Sequence, residues 1–423
     1  MIGAMIYLPK TRVHTAYAAC VSGALIVGFA QGALAQSGRY ETPPSFSAAR
    51  VLTPELQQGP HHRIVDPVRN DGFLNTYRMT TSFGEYDVVG TDLLKVRVRE
   101  TEAASKLAEK SSGGQILKSA GKTATKPLET GKGLVTKPGE TIKGAVRGVG
   151  RFFGRVGAGM DAKDPQRESL VGSLTGAGET KRHLAYQLGV DPYTRFPPLK
   201  NELSRLSSAG ALGGTAAGVG LAFVPGGAGV AISVGSQTDN LRSLLRDKTA
   251  AELEQLGRTE LAAMGVPQAT TDAFYRNQFM TPTDKAIIVG ALKSLGSAQN
   301  RFFFVARAAR AESERAAFSL TRRIILTSAY QKKVSPVQEF VSMGDVPMVR
   351  TAKGLVGIFP VDYLSWTKQF ADMAHSANDK RRAVARGTPI EFWITGKASP
   401  RTARELKSMG WRLIENADQR LGS

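Results

Sequence analysis

The stretch IEFWITGKASPRTARELKSMGWRLI (residues 390–414) decides the fold class of this chain. Its first six residues, IEFWIT (residues 390–395), are rich in β-branched and aromatic side chains, which favour a strand. Ser399-Pro400 then supplies a helix N-cap followed by proline at the first helical position, and Gly410 ends that helix. The next four residues, WRLI (residues 411–414), are a second strand. This order predicts a strand–helix–strand crossover.

The residues before the crossover extend it into an α+β unit over residues 335–423 with a small sheet. Residues 346–350 and 355–359 are apolar and flank TAKG (residues 351–354), which predicts a hairpin. We expect a helix over residues 361–376. This region resembles a C-terminal module of uncharacterised exported proteobacterial proteins. The resemblance rests on the hairpin, on the helix that starts at Ser399-Pro400-Arg401 and on Gly410-Trp411 after that helix. That resemblance implies export and brings no activity with it.

A helical bundle is predicted over residues 248–334. Thr249 and Glu252 have the spacing of a capping box, and Pro282 opens another helix. The apolar side chains of residues 300–330 recur on one face, which predicts one long core helix. Before this bundle, residues 159–247 are predicted to be helical as well.

An uncharged, glycine-rich run occupies residues 206–238. Its small residues recur every four positions, at Gly210, Gly214, Gly218, Ala222 and Gly226. Such spacing lets helices approach closely and is also used in membrane helix packing. The run therefore predicts a helical hairpin, either buried in the protein or inserted in a membrane, and the second alternative makes it a membrane-inserting or pore-forming segment.

A small unit of one β-hairpin and one helix is predicted over residues 61–110. Residues 77–81 and 86–89 read as two strands around Gly84, and residues 93–110 read as the helix. Two strands alone are marginal in water, so we expect this unit to pack on another part of the chain.

The N-terminus has the pattern of a secretory signal peptide over residues 1–35. Lys10 and Arg12 precede an apolar core at residues 16–30, and Ala33 and Ala35 frame a cleavage site. Residues 36–60 follow as a flexible linker. The only cysteine is Cys20, which excludes a disulfide framework and a thiolate zinc site. We therefore expect an exported protein of the bacterial periplasm or cell envelope, attached to a membrane in the first of the hypotheses below.

A basic amphipathic segment is predicted over residues 111–158. An 11-residue unit occurs twice, as TKPLETGKGLV and TKPGETIKGAV (residues 125–146), with eight identical positions. An 11-residue period keeps one face of a helix in register. Residues 103–160 hold eleven Lys and Arg against three Glu, a surplus of eight within the net charge of +20 of the 423-residue chain. The pattern loosely resembles the lipid-binding repeats of synuclein and lipid-droplet proteins.

Within this segment a cationic stripe lies opposite an apolar one, which is typical of a helix in an anionic membrane interface. The same stripes also fit a solvated helix that packs on the protein's own core. The stripe lacks interleaved aromatic residues for base stacking, which argues against nucleic acid. We therefore predict anionic lipid headgroups, or another envelope polyanion, as the partner. The predicted membrane-surface site consists of Lys118, Lys122, Lys126, Lys132, Lys137, Lys143, Arg147, Arg151, Phe152, Phe153 and Arg155.

Motifs for a specific reaction are missing from the sequence. His61 and His62 are adjacent and would point opposite ways in an extended segment, which makes a poor chelate. Asp362, Asp372 and Glu391 have no spacing that pairs them for acid–base work. We predict no catalytic residues, no metal and no cofactor.

The sequence thus predicts a mostly helical α+β protein, with a small N-terminal β-hairpin, a glycine-rich hairpin in its helical centre and a C-terminal α+β unit. The first functional hypothesis is a non-enzymatic envelope protein attached peripherally to an anionic membrane. The second is a soluble exported hydrolase or ligand-binding protein whose site lies between the helical region and the α+β unit. The third is membrane insertion through the glycine-rich run.

Overall fold

A computed structural model of the chain describes residues 39–112, 176–213, 238–344 and 346–422. The predicted signal peptide, residues 113–158 of the repeat segment and residues 214–237 of the glycine-rich run lie outside these ranges. Within these ranges the protein is of mixed α+β class, with more residues in helices than in strands. This agrees with the fold class that the sequence predicts.

The strands and helices in these ranges are numbered here in chain order. The strands are β1 (Ser45–Phe46), β2 (Gln58–Gly59), β3 (His62–Asn70), β4 (Asn75–Thr81), β5 (Gly84–Val89), β6 (Val337–Met343), β7 (Val346–Thr351), β8 (Gly354–Phe359), β9 (Tyr363–Leu364), β10 (Ile390–Ile394), β11 (Lys397–Ala398) and β12 (Trp411–Ile414). The first seven helices are α1 (Ala48–Val51), α2 (Pro54–Gln57), α3 (Thr91–Ser112), α4 (Ala177–Leu188), α5 (Pro197–Gly213), α6 (Thr238–Asp247) and α7 (Ala250–Ala263). The others are α8 (Gln268–Arg276), α9 (Pro282–Ser294), α10 (Phe302–Ala308), α11 (Glu314–Lys333), α12 (Lys368–Val384), α13 (Pro400–Ser408) and α14 (Ala417–Leu421).

The carboxyl-terminal sheet contains the crossover that residues 390–414 predict. Its strand order is β12-β10-β8-β7-β6, with β10 parallel to both β8 and β12. The Ser399 hydroxyl accepts a hydrogen bond of 3.0 Å from the Thr402 amide at the start of α13, and Gly410 after the helix has a φ of 77°. The cap and the left-handed glycine are the local signals that set both ends of this helix.

The amino-terminal sheet is larger than the predicted hairpin. β4 and β5 pair antiparallel around the turn at Gly84, but β3, β1 and β2 extend them into a sheet of five strands. β1, α1, α2 and β2 occupy residues that were expected in a flexible linker. Ala48 is fully buried there, and its amide donates a 2.6 Å hydrogen bond to Asp66 Oδ1. Burial and pairing thus order a stretch whose polar composition suggests a loop.

The helical region and the carboxyl-terminal sheet share one hydrophobic core. A single cluster of buried side chains joins Phe274 of α8 and Ile324 of α11 to Val356 of β8 and Trp393 of β10. The predicted boundary at residue 335 therefore separates successive elements within one core. By compactness the chain divides into Met1–Glu41 and Thr42–Ser423, and the second unit holds all the elements named above.

The predicted long helix over residues 300–330 is two helices, α10 and α11. The side-chain amide nitrogen of Asn277, which follows α8, donates to the carbonyls of Ala309 and Ala311 at 3.0 and 2.8 Å. The Ser313 hydroxyl then accepts a 3.2 Å hydrogen bond from the Ala316 amide and caps α11. The apolar periodicity continues across the break, so periodicity alone did not reveal it.

Asp362 joins the amino-terminal sheet to the carboxyl-terminal half. Its carboxylate accepts hydrogen bonds from the Asn75 amide at 2.8 Å and from the Thr91 amide, at the first residue of α3, at 3.1 Å. Burial raises the pKa of Asp362 to about 6, against these hydrogen bonds. An anionic group at a helix N-terminus is stabilised by the helix dipole, so this contact fixes where α3 begins.

A membrane-spanning helix, long and apolar enough to cross a bilayer, is not found among the described residues.

Two helical glycines provide a matched test of packing in the bundle. A Cβ atom on Gly257 of α7 would lie 1.8 Å from the Tyr275 hydroxyl oxygen, whereas a Cβ on Gly290 of α9 would have no atom within 4 Å. Tyr275 is buried against Phe274, so its ring cannot move aside freely.

We expect Gly257→Ala to lower the free energy of unfolding by about 1–3 kcal/mol, because it overpacks the core. Gly290→Ala should raise that free energy by about 0.5–1 kcal/mol, through helix propensity alone. Urea unfolding of both variants is the measurement. Equal effects of the two substitutions would contradict the packing around Tyr275.

Candidate functional site

A cavity of about 150 Å³ lies among α3, α4, α6, α9 and α11 and the segment between α4 and α5. Part of its wall is apolar and comes from Leu93, Val96, Val190, Leu245, Ile287, Phe318 and Ile325. Its charged residues are seven arginines and four acids, namely Arg97, Arg99, Arg182, Arg195, Arg242, Arg246 and Arg322 with Glu100, Asp191, Asp284 and Glu314. Arg246 and Arg322 also pair with acids outside the lining, Asp247 and Asp92, so the formal surplus around the cavity is one positive charge.

Arg97 of α3 forms ion pairs with two of the four acids. Its guanidinium donates to Glu100, three residues further along α3, and to Glu314 at the start of α11. Glu100 also accepts a hydrogen bond from the Thr194 hydroxyl. Burial disfavours the charge of Arg97, but the two carboxylates raise its pKa above the ordinary value. This network is satisfied internally and serves to hold α3, α11 and the α4–α5 segment together.

The segment between α4 and α5 is shaped by Gly189 and Asp191. Gly189 ends α4 with a φ of 69°, a left-handed conformation that glycine adopts without strain. Asp191 Oδ1 then accepts hydrogen bonds from the Tyr193 amide at 2.9 Å and from the Thr283 hydroxyl at 2.5 Å. The turn around Asp191 is thereby fixed to the N-terminus of α9, and it places Arg195 in the cavity wall.

Arg195 holds the least satisfied charge of the cavity. Its Nε and Nη2 atoms are buried and have no hydrogen-bond partner in the part of the chain that the structure describes. Asp284 is near enough for the charge of Arg195 to lower the pKa of its carboxyl, yet the two do not form an ion pair within 4.0 Å. A buried donor without an acceptor is costly, so Arg195 is the group that most requires a ligand.

Two carboxyls with raised pKa values line the same cavity as Arg195. Burial raises the pKa of Asp191 to about 7, and the nearby charges of Asp284 and Glu100 add to this rise. Burial also raises the pKa of Asp284, against hydrogen bonds from Thr281 and Thr321. Asp284 closes the capping box of α9 with Thr281, so the residue that starts the helix is also part of the cavity wall.

At the α4–α6 side, arginines stack on an aromatic ring. The guanidinium carbons of Arg242 and Arg246 lie 5.0 and 4.6 Å from the centre of the Tyr186 ring. Arg242 donates a 2.9 Å hydrogen bond to the Tyr186 carbonyl, and Arg246 forms an ion pair of 2.6 Å with Asp247. These contacts orient the two cations without neutralising Arg242.

The predicted membrane-surface residues, from Lys118 to Arg155, all lie outside the described residues, so the structure does not bring them to any site. The cavity residues were not predicted from the sequence. One signal was available in the sequence, because Gly189 and Pro192 interrupt a helix shortly before Arg195. The other cavity residues are spread from Leu93 to Ile325 and share no motif.

The described ranges contain no group of three or more His, Cys, Asp or Glu side chains that could hold a metal ion. His62 is buried, and its Nε2 lies 3.2 Å from the Leu56 carbonyl oxygen. Burial lowers the pKa of His62. This histidine is a packed residue of β3.

Comparison with family models, with curated proteins and with solved structures gave no match for this chain.

The raised pKa of Asp191 predicts a pH-dependent stability. Because the folded state binds this proton more tightly than the unfolded state, whose pKa is 3.8, the contribution is complete below pH 4 and is lost as the pH rises to about 7. Asp191→Asn keeps an acceptor oxygen and cannot ionise. We expect the variant to be about 1–3 kcal/mol more stable than the wild type at pH 8, and close to it at pH 4.

Urea unfolding at the two pH values measures this difference. Asp379→Asn, at an exposed carboxyl on α12 that is 75% accessible, is the control and should have a similar small effect at both pH values. A pH-independent effect of Asp191→Asn would show that the Asp191 carboxyl does not carry a raised pKa.

Proposed function

We propose that this protein is a non-enzymatic binding protein that holds a small anionic ligand in the cavity beside Arg195. The observation that carries the proposal is the buried, unpartnered Nε and Nη2 of that side chain. Buried donors that lack an acceptor cost free energy, and a bound anion that accepts hydrogen bonds from them removes that cost.

The two unpartnered atoms also specify the kind of group that would bind. Nε and Nη2 lie along one edge of the planar guanidinium, and this edge can donate two parallel hydrogen bonds to the two oxygens of a carboxylate or phosphate. The formal surplus of one positive charge that remains around the cavity favours the entry of an anion. Leu245 and Ile287, which are almost fully buried, keep much of the surrounding wall apolar. Exclusion of water there strengthens the charge–charge attraction.

This proposal keeps the ligand-binding form of the second hypothesis from the sequence, but it places the site elsewhere than between the helical region and the α+β unit. The cavity lies among the helices and the amino-terminal unit, and the carboxyl-terminal sheet contributes no residue to its lining. Export to the periplasm remains part of the proposal, supported by the signal-peptide pattern of residues 1–35.

Isothermal titration of the full chain with acetate, benzoate, hexanoate and inorganic phosphate tests the proposal. We expect at least one of these anions to bind, and Arg195→Gln to weaken that binding by about 10- to 100-fold, because it removes both donors of the charged edge. Arg276→Gln, at an exposed position on α8, removes the same charge elsewhere and should leave the affinity unchanged.

Thermal unfolding without ligand separates folding from binding. Arg195→Gln should not lower the melting temperature, since it removes buried donors that the folded protein leaves unsatisfied. No binding by any of the four anions, or equal binding by the Arg195 and Arg276 variants, would refute an anion site at Arg195.

We also propose peripheral attachment to an anionic membrane through residues 115–157. The support is the 11-residue repeat and the opposed cationic and apolar stripes of the sequence. For the glycine-rich run of residues 206–238 we propose a helical hairpin that is either buried in the protein or inserted in a membrane. The support is the spacing of its small residues.

Liposome flotation tests the peripheral attachment. We expect the full chain to float with vesicles that contain an anionic phospholipid, and to lose flotation when four stripe cations become glutamine, because each contributes about 1 kcal/mol near such a surface. The stripe variant changes Lys143, Arg147, Arg151 and Arg155. A charge-matched control changes the exposed Lys353, Lys380, Lys397 and Lys407. Equal flotation of the two variants, or no flotation of the wild type, would count against this attachment.

A further inference from the structure

We propose that the ligand of the cavity is an amphipathic monocarboxylate, with its acid group on Arg195 and an apolar body about the size of a benzene ring. This inference rests on the proposed function and adds the chemical class of the ligand. It follows from three properties of the cavity: its apolar wall, its volume and the position of its carboxyls.

The apolar wall is built by α3, α6, α9 and α11. Leu93 of α3, Leu245 of α6, Ile287 of α9 and Ile325 of α11 are 7, 4, 4 and 5% exposed and all line the cavity. Water in contact with such a wall lacks hydrogen-bond partners, so an apolar group that displaces it gains affinity. A ligand that was charged all over, such as inorganic phosphate, would leave this wall in contact with water.

The volume limits the apolar body. The cavity measures about 150 Å³. An apolar cavity of about 150 Å³ is known to hold one benzene molecule, so a ring or a chain of about five carbons fills the space.

The carboxyls beside Arg195 favour a single negative charge on the ligand. Asp191 and Asp284 both line the cavity, and Glu100 lies close enough to affect the charge of Asp191. A second negative charge on the ligand would face these carboxyls and be repelled. The Thr283 hydroxyl already donates to Asp191 and the Thr321 hydroxyl to Asp284, so neither proton is left for further phosphate oxygens.

Titration calorimetry of the full chain at pH 7 with matched probes tests the ligand class. Benzoate and hexanoate should bind at least about tenfold more tightly than acetate, since each buried methylene adds roughly a factor of four. They should also bind more tightly than inorganic phosphate, and benzyl alcohol should bind more weakly than benzoate because it lacks the charge. Acetate or phosphate binding as tightly as benzoate would overturn the amphipathic class and leave an anion site standing. Failure of every probe would overturn both proposals.

A pair of neighbouring isoleucines tests the apolar wall. Ile287 of α9 lines the cavity, while Ile288 of the same helix is fully buried in the core and is not part of the wall. We expect Ile287→Val to weaken benzoate binding by about fourfold through the loss of one methylene. Ile288→Val should leave benzoate affinity unchanged, although it removes the same group. Equal effects on binding would place the ligand's apolar body outside this wall.

Discussion

Two consecutive arginines of α11 anchor the structure on either side of that helix. Arg322 forms a buried ion pair with Asp92 in the first turn of α3, with 2.8 Å between Nε and the carboxylate. Arg323 donates to the Pro347 carbonyl of β7 and lies 4.2 Å from the centre of the Phe359 ring. Burial lowers the pKa of Arg323 to about 9. Successive residues of a helix point about 100° apart, so α11 can hold the amino-terminal unit with one and the carboxyl-terminal sheet with the other.

The position of the cavity follows from this arrangement. α11 lines it through Phe318 and Thr321, on the side that faces α3 and α9, while Ile324 and Tyr330 belong to the core that includes the sheet. Asp362 fixes the start of α3 independently. Two of the wall elements, α3 and α11, are thus held in place by buried ion pairs and hydrogen bonds. A site built on such elements is preorganised, because a ligand need not order the helices as it binds.

Features set by local chemistry could be predicted, and features set by distant contacts could not. The crossover was predicted because Ser399 and Gly410 define the ends of α13 by themselves. The break before α11 was missed because the Asn277 side chain, from another helix, binds the carbonyls there. The cavity was missed for the same reason. Arg195 is a candidate because its buried Nε and Nη2 lack an acceptor, and only packing reveals this.

The charges around the cavity oppose the stability of the ligand-free protein. Nε and Nη2 of Arg195 are buried without an acceptor, and burial raises the pKa values of both Asp191 and Asp284. Three such groups on one small cavity cannot be explained by a need for stability, since apolar side chains of similar size would pack there at lower cost. Perturbed ionisable groups that cluster in a cavity are typical of functional sites. The net positive charge of the chain suggests binding to an anionic membrane surface, whereas the unpartnered donors of Arg195 suggest binding of an anion in the cavity. A binding function for the cavity therefore does not depend on how the basic repeat segment is used.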